Sequence, residues 1–122
     1  MLIRERERRD PVLKFKHNVR NLIGGSFKRI GFVKSMSTEK LLGCTLQNFQ
    51  LYISSKFKEG MTLENHGKWH LDHIIPLAIA KTEEEVIKLC HYTNFQPLWA
   101  KENREKSGKW SLRLESNQHS WD

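Results

Sequence analysis

One run limits what this chain can fold into more than any other: Trp69-His70-Leu71-Asp72-His73-Ile74-Ile75-Pro76-Leu77. Its apolar character predicts a strand over 69–75, ended by Pro76, which has no N–H to continue a ladder. Alternation then puts His70 and Asp72 on one face and Leu71 and His73 on the other. One other segment, Phe95–Trp99, reads as a strand, and Pro97 within it assigns it to an edge. Most of the remaining pattern is helical, so the expected class is α+β.

The helices are marked by their ends. Asp10 can cap and Pro11 fits a first turn, where its missing N–H costs nothing. Val12, Phe15, Val19 and Leu22 then recur at helical spacing, and Gly24-Gly25 predicts a stop, giving a helix over 11–23. Thr38–Leu42 reads as a short turn of helix ending at Gly43. Thr45 caps a longer one, in which Leu46, Phe49, Ile53 and Phe57 form the buried stripe, ended by Gly60. Residues 61–68 read as a loop that exposes His66 in a turn. Thr82-Glu83-Glu84-Glu85 is a capping box with an acidic first turn, which accounts for three adjacent glutamates without a metal. That helix is expected to end near His91, which would place a favourable charge at its C-terminus. A final helix is predicted over 100–106, stopped by Ser107-Gly108.

The length of 122 residues suits one compact domain with a modest core, at 38% hydrophobic residues. No apolar run approaches the roughly 20 residues needed to cross a bilayer, and the N-terminus lacks the apolar centre of a secretory signal. An intracellular, cytoplasmic protein without a membrane partner is expected. Cys44 and Cys90 form no CxxC pair, so no zinc knuckle is predicted and both thiols are expected to be reduced. The net charge of +7 is unevenly spread: residues 1–34 hold ten basic and three acidic side chains, a surplus equal to the whole, and residues 35–122 carry eleven of each sign. A basic segment over 1–34 attached to a neutral body over 35–122 suits a polyanion. Arg4, Arg6, Arg8, Arg9, Lys14, Lys16, Arg20, Lys28 and Arg29, with Arg104 further on, are its candidate contacts.

Asp72 supplies a hard oxygen suited to Mg²⁺ or Mn²⁺. His73 titrates near neutral pH and can take a proton from water. Asn103, on the final helix, offers a carbonyl oxygen. The runs WHLDHIIPLA and YTNFQPLWAKENREKS, with GMTLENHGKW ahead of them, closely resemble the HNH endonucleases, above all the small ones encoded by bacteriophages and mobile elements. The resemblance covers residues 38–107 or so. It implies a ββα-metal (His-Me finger) fold, here with additional packing helices and no zinc knuckle.

By position, the resemblance makes Asp72 and Asn103 the metal ligands and His73 the general base. Asn94 becomes the residue that braces the loop and orients that base. His70 is a further candidate, as a third ligand or a phosphate contact. Lys106 is either a phosphate contact or an exposed helix lysine. The implied activity is metal-dependent cleavage of double-stranded DNA, by nicking or double-strand breakage, leaving 5′-phosphate and 3′-hydroxyl ends. Asn at position 103, where many members have His, favours Mg²⁺ or Mn²⁺ over softer metals. One motif makes one nick, so a double-strand break would need a homodimer or two visits. The resemblance also leaves room for a phage packaging or recombination partner in a bacterial host. Two rival readings stand beside it: an HNH scaffold that binds DNA in such a complex without cutting, and a structural zinc site built from His70, Asp72, His73 and His91.

Overall fold

The structure, a computed structural model, describes residues 10–32, 34 and 36–106. The described chain is a small α+β fold with five α-helices and a two-stranded antiparallel sheet. Helix α1 spans Pro11–Ile30, α2 Thr38–Leu42 and α3 Leu46–Ser54; strand β1 spans Trp69–His73, α4 Glu83–Leu89 and β2 Phe95–Trp99. Residues 100–106 follow β2 directly as α5.

The predicted caps are in place. Asp10 accepts hydrogen bonds from the Val12 and Leu13 amides, with Pro11 opening α1. Thr45 caps α3, and Ser37, which was not among the expected caps, caps α2. Thr82 and Glu85 close the capping box of α4 from both sides.

Helix α1 corrects the expected stop at Gly24-Gly25: it runs through both glycines to Ile30. Each glycine costs a helix about 1 kcal/mol relative to alanine. Continuing the helix buries Phe27 in line with Phe15, Val19 and Ile23, and a fully buried side chain of that size contributes about 1.5–3 kcal/mol. Burial therefore outweighs local propensity. The true end is Gly31, at a φ of 91°. The Gly31 amide bonds the Lys28 carbonyl and the Phe32 amide bonds that of Phe27, a Schellman closure with Phe32 packed on the core. Two other ends fall earlier than expected: α3 stops at Ser54 and β1 at His73.

The core joins α1, α3 and the sheet. Phe15 packs on Phe49, with ring centroids 5.9 Å apart, and Phe49 meets Phe95 of β2 edge-on at 5.4 Å. Trp69 of β1 is fully buried, and its indole N–H donates to the Thr62 carbonyl and to Asn65 Oδ1. His66 is half-buried against Trp69, at 4.4 Å between ring centroids. The turn expected to expose it instead folds its ring onto the indole. The apolar face of α1 lies in this same core, so the helical part of the basic segment is not a detached arm. Cys44 is half-buried and Cys90 fully buried, both as free thiols. Among the described residues, no helix is long and apolar enough to cross a membrane.

A Cβ built on Gly24 or Gly25 meets nothing within 4 Å. Gly24→Ala and Gly25→Ala are each expected to stabilise the fold by about 0.5–1 kcal/mol. Gly31→Ala is expected to destabilise it, because its backbone is left-handed. Equilibrium urea unfolding followed by tryptophan fluorescence checks this; midpoints unmoved by both helical substitutions would end the continuous-helix account.

Candidate functional site

The two strands pair with Trp69 opposite Trp99, Asp72 opposite Gln96 and His73 opposite Phe95. This register builds the site. Gln96 Nε2 donates to Asp72 Oδ2 across the sheet at 2.8 Å. Helix α5 brings Lys106 back over the end of β1, where its ammonium donates to Asp72 Oδ2 and to the His73 carbonyl, both at 2.6 Å. Asp72 is buried, at 8% exposure. A buried carboxylate needs partners of this kind. Among the described residues, both of its bonds arrive at Oδ2.

His73 lies against the Phe95 ring, with centroids 4.5 Å apart. Its Nε2 is buried and, among the described residues, has no hydrogen-bond partner. Burial pushes its pKa down to about 4; the Asp72 charge pulls upward, and Lys106 and Arg29 push further down. The imidazole is therefore neutral near pH 7, with one nitrogen uncommitted.

Asn94 fixes the exit from β1. Its Oδ1 accepts from the Ile75 amide at 2.8 Å, and its Nδ2 donates to the Ile75 carbonyl at 3.1 Å and to the Leu89 carbonyl at 2.9 Å. Its own carbonyl accepts from the Ile74 amide. His91 supports this turn: it caps the 3-10 turn Tyr92–Asn94 through Nδ1, which accepts from the Thr93 amide. Helix α4 ends at Leu89, near His91 as expected, and His91 begins the turn that follows. Gly43 lets His91 approach, since a Cβ there would lie 2.9 Å from its Nε2.

The predicted residues divide into groups. Asp72, His73 and Lys106 come together, with Asn94 directly behind them. Lys106 is a partner of Asp72 and not an exposed lysine. Asn103 is half-buried on α5, one turn before Lys106 and so on the same side of the helix; among the described residues its amide makes no hydrogen bond. His70 stands exposed opposite Leu98. Its charge acts on His66, whose pKa is pushed down to about 4 by burial first, then by His70 and Lys14. The Asn18 amide donates to His66 Nδ1 at 3.0 Å. Lys14, Arg20, Lys28, Arg29 and Arg104 are exposed and Lys16 is half-buried. Arg4, Arg6, Arg8 and Arg9 lie outside the described residues.

Gln96 is the site residue that sequence reasoning missed. Only the register reveals it, because the residue facing Asp72 follows from pairing Trp69 with Trp99. Among the described residues, no group of three or more His, Cys, Asp or Glu side chains is placed to hold a metal. The oxygens in reach of the Lys106 ammonium are one carboxylate and one backbone carbonyl.

No protein-family model matches the chain, and no solved structure matches it. Two curated relatives are proteins of Acanthamoeba polyphaga mimivirus. Uncharacterized protein L246 is 33% identical over 96 residues, covering 76% of this chain and 41% of that protein. Uncharacterized protein L426 is 38% identical over 78 residues, covering 62% and 34%. The chain thus spans less than half the length of either.

Asn94→Ala is expected to destabilise the fold by about 1–3 kcal/mol, since it strands buried backbone groups of Ile75 and Leu89; a urea midpoint equal to wild type would remove the bracing role. Acid should also weaken the fold. His66 and His73 take up protons at about 4 when folded and near 6.5 when unfolded. Their contribution is complete above pH 6.5 and is lost as pH falls toward 4. Urea midpoints should drop between pH 7 and 5, and His73→Phe should flatten part of that slope. An identical slope in that variant would exclude His73 as a source.

Proposed function

We propose that the chain is a divalent-metal-dependent DNA endonuclease of the HNH, ββα-metal type. The observation that carries this reading is the His73 imidazole: neutral, its Nε2 buried and without a partner among the described residues, beside a carboxylate at the end of a strand pair that runs directly into a helix. The arrangement follows the order of elements that the motif resemblance implies.

The donor set suits a hard cation. Asp72 offers a carboxylate, the His73 carbonyl a second oxygen, and Asn103 an uncommitted amide one turn from Lys106. The ammonium of Lys106, at 2.6 Å from two of these oxygens, marks a point where positive charge is already favoured. When bound there, Mg²⁺ or Mn²⁺ would supply charge stabilisation to the phosphate and the departing oxygen. Asp72 and Asn103 would be its side-chain ligands.

His73 Nε2, which the folded chain shields from solvent, would take the proton of the attacking water once water reaches it. The water oxygen bonds phosphorus, the P–O3′ bond breaks, and the 3′ oxygen leaves as an alkoxide that solvent protonates. A base with a pKa of about 4 is unprotonated near neutrality. Asn94 holds the loop beyond His73 in place, and Gln96 holds the Asp72 carboxylate. The exposed Lys14, Arg20, Lys28, Arg29 and Arg104, with the basic residues of 1–9, would meet flanking phosphates, making affinity fall with salt.

The ion pair between Lys106 and Asp72 favours one alternative. A scaffold that binds DNA without cutting needs only a neutralised carboxylate, which this pair provides. Incubation of supercoiled plasmid with the protein in Mg²⁺ or Mn²⁺, against EDTA, separates the two. Metal-dependent nicking is expected, and His73→Ala should lose at least about 100-fold in rate, the usual share of a general base, while still shifting DNA in a gel. The acidic limb of the rate profile should lie near pH 4 and not 6.5. No nicking in any metal would select the non-cleaving reading, and a wild-type rate in His73→Ala would refute the base.

A further inference from the structure

Lys106 is the one buried-side contact of the site that the proposed chemistry leaves unused. Its Nζ is 2.6 Å from Asp72 Oδ2 and 2.6 Å from the His73 carbonyl oxygen, so it bridges a side chain and the backbone of adjacent residues. Its own side chain keeps 21% exposure, so one side faces water. We propose that Lys106 is a resident cation that competes with the divalent metal for the charge of Asp72, and that it weakens metal binding for as long as its ammonium stays on Oδ2. This inference rests on the reading of Asp72 as a metal ligand.

Three observations carry it. A small divalent ion such as Mg²⁺ binds carboxylate oxygens at about 2.0–2.1 Å, and the ammonium already lies 2.6 Å from Oδ2 of that carboxylate. Two cations at one oxygen repel each other at short range with little water between them. Asp72 is buried, so a vacated carboxylate would be costly; the lysine keeps it neutralised until another cation arrives. Lysine suits this role because its charge is a compact point on a flexible four-carbon stem, able to swing to solvent without moving α5. Gln96 also donates to Oδ2 and so helps aim the carboxylate. The consequence is a metal site of deliberately weak affinity, which fills only when the divalent concentration outweighs the tethered ammonium.

The test is Mn²⁺ binding, read as free Mn²⁺ by electron paramagnetic resonance on the full chain, for wild type, Lys106→Gln, Lys106→Met, Lys106→Arg and Asp72→Asn. The two neutral variants should bind Mn²⁺ about tenfold more tightly, a change of about 1.4 kcal/mol, and Mn²⁺ should raise their thermal midpoints more than it raises that of wild type. Lys106→Arg should stay at or below wild-type affinity, because the competing charge is kept. If Lys106→Met does not fold, Lys106→Gln, which can still hydrogen-bond Asp72, decides. Equal or weaker Mn²⁺ binding by the folded neutral variants would overturn the competition while leaving the metal reading intact. Wild type that binds no Mn²⁺, or binds it no better than Asp72→Asn, would overturn the metal reading and this inference with it.

Discussion

The geometry around the strand ends depends on the side chain of Asn94. Residues 74–94 leave the sheet, pass through a turn and α4, and return to β2, and ordering such an excursion costs conformational entropy. Asn94 closes it at the base by binding both backbone groups of Ile75 and the carbonyl at the end of α4. Only an amide side chain can do this. Aspartate would accept from the Ile75 amide but offer no donor to the two carbonyls, and alanine would offer neither. Because Ile75 is two residues beyond His73, this one side chain sets where β1 ends and where Asp72 and His73 stand.

A two-stranded sheet is marginal alone. Here the helices hold it. Phe49 of α3 touches Phe95 on one side and Phe15 of α1 on the other, so the rings form a continuous path from the first helix to the strand pair. His73 lies on the far side of that path, against the same Phe95. The core therefore reaches the candidate site directly: Phe95 is both a packing residue and the surface that orients the imidazole. Helices α1 and α3 supply the burial that holds the strand pair in place.

Local chemistry was well written in the sequence, and long-range chemistry was not. The caps at Asp10, Thr45 and Thr82 could be read from short patterns because each satisfies amides within three residues. Gly24-Gly25 misled for the complementary reason: its stop signal is local, whereas the burial of Phe27 that overrides it belongs to the assembled core. Asp72, His73 and Asn94 could be singled out in two short runs, but the bonds that Asn94 makes to Ile75 and Leu89 need the assembled fold. Gln96 was invisible until the register was known. The bond between Lys106 and Asp72 crosses 34 residues and needs the docking angle of α5, which no periodicity encodes. His66 failed as a surface residue because a polar turn says nothing about the indole it folds onto.

The same ammonium links the two halves of the proposed chemistry. Alone, the charge of Asp72 would draw a proton toward His73 and spoil it as a base at mildly acid pH. Burial is the main force against that pull, and the charges of Lys106 and of Arg29, at the end of α1, act in the same direction as burial. His73 is thus held neutral while Lys106 compensates the Asp72 carboxylate.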